Sequence, residues 1–156
     1  MTPTISCNAL VGISTPQTLK IEGYIKKKKV IVLIDSGSTH NFIHYKLAKD
    51  LNCFVYLAPE FQVMIADGGT INCLGKCNKI NITMREYVTN SPKISIPMGG
   101  VDVVLGIQWL QSLGTMDFNF QELFMKFSLE GKEIELRGIT GKQGKVISSN
   151  GMKTLF

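Results

Sequence analysis

The stretch Val30-Ile31-Val32-Leu33-Ile34-Asp35-Ser36-Gly37-Ser38 sets five consecutive apolar residues directly before an acidic turn. Side chains of a strand alternate between two faces, so an uninterrupted apolar run is hydrophobic on both and belongs in the middle of a covered sheet. Whatever follows such a strand emerges from the core. A carboxylate there costs stability unless its oxygens are hydrogen-bonded or a partner group shares its proton. The next residues supply donors. Gly37 lets its backbone N–H approach the carboxylate closely, and the hydroxyls of Ser36 and Ser38 can donate bonds that hold the turn. The local sequence is suited to presenting Asp35.

Upstream, Leu19, Ile21 and Ile25 mark a first strand, which the run Lys26-Lys27-Lys28-Lys29 turns into the apolar one. Downstream, Phe42, Ile43, Leu47, Ala48 and Leu51 recur at helical spacing, with Asn52 as a stop. The segments 61–66 and 70–74 flank Asp67-Gly68-Gly69, a hairpin signal whose glycines allow positive φ. Ile80, Ile82 and Met84, then Ile94 and Ile96, alternate with polar residues and read as two half-buried strands of a meander. Val101, Val103, Val104 and Leu105 form a second apolar strand ending at Gly106, before a short helix carrying Trp109 as a core anchor. Met125 to Leu136 reads as a hairpin around Gly131. The expectation is one all-β domain over residues 18–139, after an N-terminal extension at 1–17 and before a polar linker or tail at 140–156.

Composition is that of a globular domain: 156 residues, 44% hydrophobic and 19% charged. No apolar stretch is long enough to cross a bilayer and no targeting signal is visible, so a soluble protein without membrane partners is expected. Four cysteines, Cys7, Cys53, Cys73 and Cys77, read as free thiols of an intracellular protein. The net charge of +5 is concentrated in the lysine run, which reads as a solvated turn rather than a nucleic-acid contact.

The segment Val32 to Ile43, centred on Asp35-Ser36-Gly37-Ser38, resembles the active-site signature of retropepsin-like aspartic proteases, above all those of plant Ty3/gypsy-type retrotransposon polyproteins. Asp102-Val103-Val104-Leu105-Gly106-Ile107-Gln108-Trp109-Leu110 resembles the second signature of that family, here carried by Val104, Leu105 and Gly106. The likeness spans roughly residues 19–138 and implies a closed acid protease barrel with a flap hairpin and one or two short helices. It places the flap at Ala66, Asp67, Gly68 and Gly69, closing over an extended peptide that gains main-chain bonds as an added strand.

The resemblance also implies a mechanism. Two Asp35 carboxylates face each other across a two-fold axis and share one proton; one takes a proton from water while the other polarises the scissile carbonyl. Asp50, Asp67, Asp102 and Asp117 open no second Asp-Ser/Thr-Gly, so the active form should be a C2 homodimer. Expected substrates are extended segments of its own polyprotein, in the cytoplasm or within virus-like particles, with no cofactor. The rival reading is a domesticated, inactive module for dimerisation or peptide binding.

Other chemistries are weaker. His40 and His44, and Cys73 and Cys77, have spacings that invite zinc, but the histidines lack an adjacent Glu and the cysteines sit on expected strands, so no metal is assigned. Nucleophilic catalysis by Ser36 or Ser38 lacks the Gly-x-Ser-x-Gly context.

Overall fold

The computed structural model describes residues 2–56, 62–78 and 80–139; the tail expected at 140–156 lies outside the described residues. The apolar run is the interior strand of a nine-stranded sheet. Strand β2 (Thr18–Ile25) pairs antiparallel with β3 (Lys28–Asp35) in a register that opposes Ile25 to Lys28 and Thr18 to Asp35. Lys26 and Lys27 form the two-residue loop, with φ of 49° and 74°. Positive φ at both positions is the geometry that matches the strand twist of a hairpin, and their charged ends stand in solvent. The lysine run is therefore a turn, as expected, and Lys29 pairs with Glu22 across the hairpin at 2.8 Å.

On its other edge β3 pairs in parallel with β12 (Val103–Leu105), Leu105 lying opposite Ile34. Alternation then sorts the core into two clusters. Val30, Val32, Ile34, Val103 and Leu105 face one side, and Leu33 and Val104 face the other. β12 pairs antiparallel with β4 (Phe42–His44), which pairs in parallel with β11 (Lys93–Ile96). β8 (Gly75–Cys77) and β5 (Phe54–Tyr56) extend the ladder beyond β11; β9 (Ile82–Met84) and β10 (Tyr87–Thr89) extend it beyond β2. A separate three-stranded sheet, β13 (Met116–Asn119), β14 (Phe124–Leu129) and β15 (Lys132–Arg137), covers the first cluster with Met125, Phe127, Ile134 and Leu136. Trp109 is buried as expected; its indole N–H donates to the Tyr87 hydroxyl at 3.0 Å, and Phe127 meets both rings edge-on.

Several expectations are corrected. The nine-stranded sheet is a curled half-barrel: among the described residues its end strands β10 and β5 do not pair, so no closed barrel ladder forms. The helix expected from Phe42 begins only at Tyr45, as α2 (Tyr45–Asp50). Phe42 and Ile43 are instead taken into the ladder, one buried in each cluster, and the His44 ring caps the helix by accepting from the Lys46 N–H at 3.3 Å. The strands at 82–84 and 93–96 are not meander neighbours, because Ile82 and Met84 belong to the first cluster while Ile94 and Ile96 belong to the second. The cysteines are not all free: Cys53 and Cys77 form a disulfide, their Cα atoms 5.0 Å apart, where β5 and β8 run side by side. Only Cys7 and Cys73 are free thiols. With that pairing the cysteines do not indicate a reducing compartment.

Residues before Thr18 carry β1 (Thr4–Ile5) and α1 (Cys7–Val11), so with α2 and α3 (Ile107–Leu113) the described residues hold three helices rather than one or two. Ile5 and Ala9 are fully buried in the second cluster. Among the described residues no helix is long and apolar enough to cross a membrane.

Lys93 on β11 is fully buried, its ammonium donating to the Ser91 carbonyl. Burial pushes its pKa from 10.5 down to about 8. Between those values the unfolded chain binds more protons than the folded one, so stability rises with pH across that window, and the full penalty is present below it. Lys93→Met is expected to stabilise the protein by about 2–3 kcal/mol near pH 7 and to flatten the rise above about pH 8, read by urea denaturation. A destabilised variant near neutral pH would contradict this account.

Candidate active site

Asp35 is the last residue of β3 and only 4% exposed. Its Oδ1 accepts from the Gly37 N–H at 3.0 Å, and its Oδ2 accepts from the Ser38 hydroxyl at 2.8 Å. A third donor, the Ser6 hydroxyl, reaches Oδ2 at 2.7 Å. Each hydroxyl is itself held. Ser38 Oγ accepts from the Ser6 N–H at 3.1 Å, and Ser6 Oγ accepts from the Ala9 N–H at 3.1 Å as the N-cap of α1. Two hydroxyls and one amide thus satisfy a carboxylate that would otherwise be buried without partners. A Cβ on Gly37 would stand 3.2 Å from Oδ1, so glycine permits the close approach of its amide.

Ser36 differs from expectation. Its side chain makes no hydrogen bond among the described residues; it lines a cavity of about 420 Å³ with Ile34, Leu110, Met116, Phe118 and the exposed Phe120. The turn is held from Ser38, Gly37 and Ser6 instead.

The second signature packs directly behind the turn. Val104 and Leu105 are fully buried in β12, and Gly106 brings the start of α3 against residues 38–41. The Ile107 N–H donates to the Ser38 carbonyl at 2.8 Å, and the Gln108 N–H donates to the Thr39 carbonyl at 3.0 Å. The buried Asn41 Oδ1 accepts from the Gly106 N–H at 3.0 Å. The Asp35 turn and the helix start are thereby one hydrogen-bonded unit.

The hairpin at 62–72 consists of β6 (Gln62–Ile65) and β7 (Thr70–Asn72), with Ala66, Asp67, Gly68 and Gly69 exposed at its tip. Gly68 has φ of 109° and Gly69 does not enter the positive region. The Asp67 carboxylate accepts from the Gly69 N–H at 3.0 Å, which makes it a turn residue. β6 is joined to the turn through β1, which pairs with it in parallel.

Elsewhere, Thr39 Oγ1 lies 2.7 Å from His40 Nδ1, and burial holds the His40 pKa below the usual histidine value. Burial also raises the pKa of the Cys73 thiol. Among the described residues no group of three or more His, Cys, Asp or Glu side chains is placed to hold a metal ion.

Ser6 and Asn41 were not legible as site residues. The five-residue helix α1 is too short for a periodic signal, and the sole cue to Ser6 was its N-cap chemistry. Asn41 lies within the segment Val32 to Ile43, where nothing local points to its bond with the Gly106 N–H.

A profile of the retroviral aspartyl protease family matches residues 11–124, and the chain belongs to that family. Among solved structures, it is similar to the retroviral protease-like domain of Ddi1 from Leishmania major, with a TM-score of 0.63 at 13% identity, covering 81% of this chain and 98% of that one. That likeness shows a mostly-β retropepsin-like fold. A retropepsin-like aspartic protease from Rickettsia conorii aligns with a TM-score of 0.47 at 13% identity, over 70% of this chain and 82% of that one. The curated proteins include no match.

A Cβ at Gly106 would collide with the carbonyl oxygens of Ser38 and His40, both backbone atoms. Gly106→Ala is therefore expected to destabilise the fold by about 2–4 kcal/mol in chemical denaturation. A stability within about 0.5 kcal/mol of the native protein would refute the close seating of α3 on the turn.

Proposed function

We propose that the protein is an aspartic endopeptidase that processes a retrotransposon polyprotein of the Ty3/gypsy type, acting as a C2 homodimer that contributes Asp35 twice. The observation that carries this reading is the Asp35 carboxylate, buried at the end of β3 and supplied with donors by its own turn. A buried, hydrogen-bonded carboxylate at the mouth of a core strand is poised for proton transfer, and its energetic cost has no structural return that an apolar residue would not match. Membership in the retroviral aspartyl protease family supports the peptidase chemistry.

One carboxylate is half of the machinery. Asp50 closes α2, Asp67 sits at the hairpin tip, Asp102 accepts from the Ile31 N–H at 2.8 Å, and Asp117 lies on β13. Each stands on an element other than the Asp35 turn. A second copy brought up on the Ser36 side would supply the missing carboxylate and cover the apolar cavity between Ser36 and Phe120. With two carboxylates sharing one proton, the ionised member removes a proton from water and the protonated member hydrogen-bonds the scissile carbonyl. Water adds to the carbonyl carbon, the carboxyl that took the water's proton passes it to the amide nitrogen, the C–N bond breaks to release the amine and a new carboxyl group, and no covalent enzyme intermediate forms.

Asp35→Asn should reduce release of the domain from its flanking polyprotein by about 10³-fold or more while the far-ultraviolet circular dichroism is unchanged. Processing that persists in Asp35→Asn would sink the reading, and a correctly folded native dimer that binds peptides without cleaving them would favour the noncatalytic module.

A further inference from the structure

The segment Pro3 to Ser6 lies between β6 and the Asp35 turn and is hydrogen-bonded to both. On the hairpin side, the Met64 N–H donates to the Pro3 carbonyl at 2.9 Å and the Ala66 N–H donates to the Ile5 carbonyl at 3.0 Å. Facing the turn, the Thr39 N–H donates to the Thr4 carbonyl at 2.9 Å, and the Thr4 N–H donates to Thr39 Oγ1 at 2.8 Å. The next residue, Ser6, donates its N–H to Ser38 Oγ at 3.1 Å and its hydroxyl to Asp35 Oδ2 at 2.7 Å. Main-chain groups are thus used on both edges of an extended strand, and the strand ends with a side chain on the carboxylate. Those are the bonds an added peptide strand makes with a sheet edge.

We propose that residues 3–6 are an intramolecular occupant of the peptide-binding cleft, a strap that must leave before a peptide in trans can bind. This rests on the reading of the Asp35 turn and the 62–72 hairpin as the two walls of that cleft. Ile5 anchors the strap, fully buried in the second core cluster that also holds Val63 and Phe42. The strap covers Asp35 from the hairpin side, while Ser36 and its apolar cavity lie outside its hydrogen bonds. Self-occupancy raises the concentration of peptide that a competitor must reach, because an attached segment competes at its effective concentration. The strap also adds the Ser6 hydroxyl to the donors that Gly37 and Ser38 already give the Asp35 carboxylate.

Hydrogen exchange on the full chain tests the strap without requiring catalysis. The amides of Thr39, Met64 and Ala66 each donate to it. They should exchange together, at least about tenfold faster than the amides of Leu33 and Ile34, because strap release is a sub-global opening. Exchange at the rate of those core amides would make the segment a permanent strand and overturn the proposal, as would an absence of protection. The second arm uses Thr4→Pro, which removes the Thr4 N–H donor and leaves the Ile5 anchor in place. A fluorescently labelled peptide with the sequence of residues 2–7 should bind this variant at least about tenfold more tightly than the native chain in polarisation measurements. Equal binding, or none to either protein, would overturn the strap. Neither arm reads cleavage, so a protein that passes both and cleaves nothing keeps the strap and loses the peptidase reading; a protein that cleaves but fails both does the reverse.

Discussion

The Asp35 carboxylate is a charge placed at the end of a strand that is hydrophobic on both faces, and the surrounding structure is organised around making that placement tolerable. Burial alone would disfavour the ionised group by several kcal/mol. The answer is a short turn that aims an amide and a hydroxyl at its oxygens, with a further hydroxyl from a distant part of the chain. The turn in turn needs a floor. β12 and the start of α3 provide it, with Gly106 as the residue whose lack of a Cβ lets the two loops touch. Without the Gly37 amide, Asp35 Oδ1 would be a buried carboxylate oxygen short of its donor.

The same arrangement explains why the sheet has parallel and antiparallel pairs side by side. β3 must be flanked closely by β12 so that both strand ends, Asp35 and Gly106, arrive at one place. Parallel pairing does that, since it sets Leu105 opposite Ile34 and brings the two turns out on the same edge. The hairpin at 62–72 then reaches the turn through β1, so residues near the start of the chain are part of the site's hydrogen bonding. Between the hairpin and the turn, β1 is held by main-chain groups along both of its edges.

Much of this was legible from residues 30–38, because strand burial follows from the alternation rule and the need for donors follows from the charge. The hairpins at 25–28, 65–70 and 129–132 were also readable, each announced by a polar or glycine-bearing loop between apolar runs. What was not legible depended on contacts between distant segments. Phe42 and Ile43 have helical spacing with Leu47, yet ladder bonds with β12 and β11 outweigh local periodicity. The pairing of Cys53 with Cys77 follows from β5 lying beside β8, a neighbour relation that spacing along the chain does not encode. Ser6 carried a cap signal and nothing more; its role at Asp35 appears only once β1 joins β6.

In the proposed enzyme, one chain holds half of a catalytic site. This is tested most directly by titrating the native protein with Asp35→Asn chains at fixed native concentration and measuring cleavage of a polyprotein junction peptide. The account predicts that activity falls as mixed dimers form, even though the number of native chains is constant, and that specific activity of the native protein alone rises with its concentration. Activity that is indifferent to added Asp35→Asn chains, with a specific activity independent of concentration in a strictly monomeric protein, would contradict it.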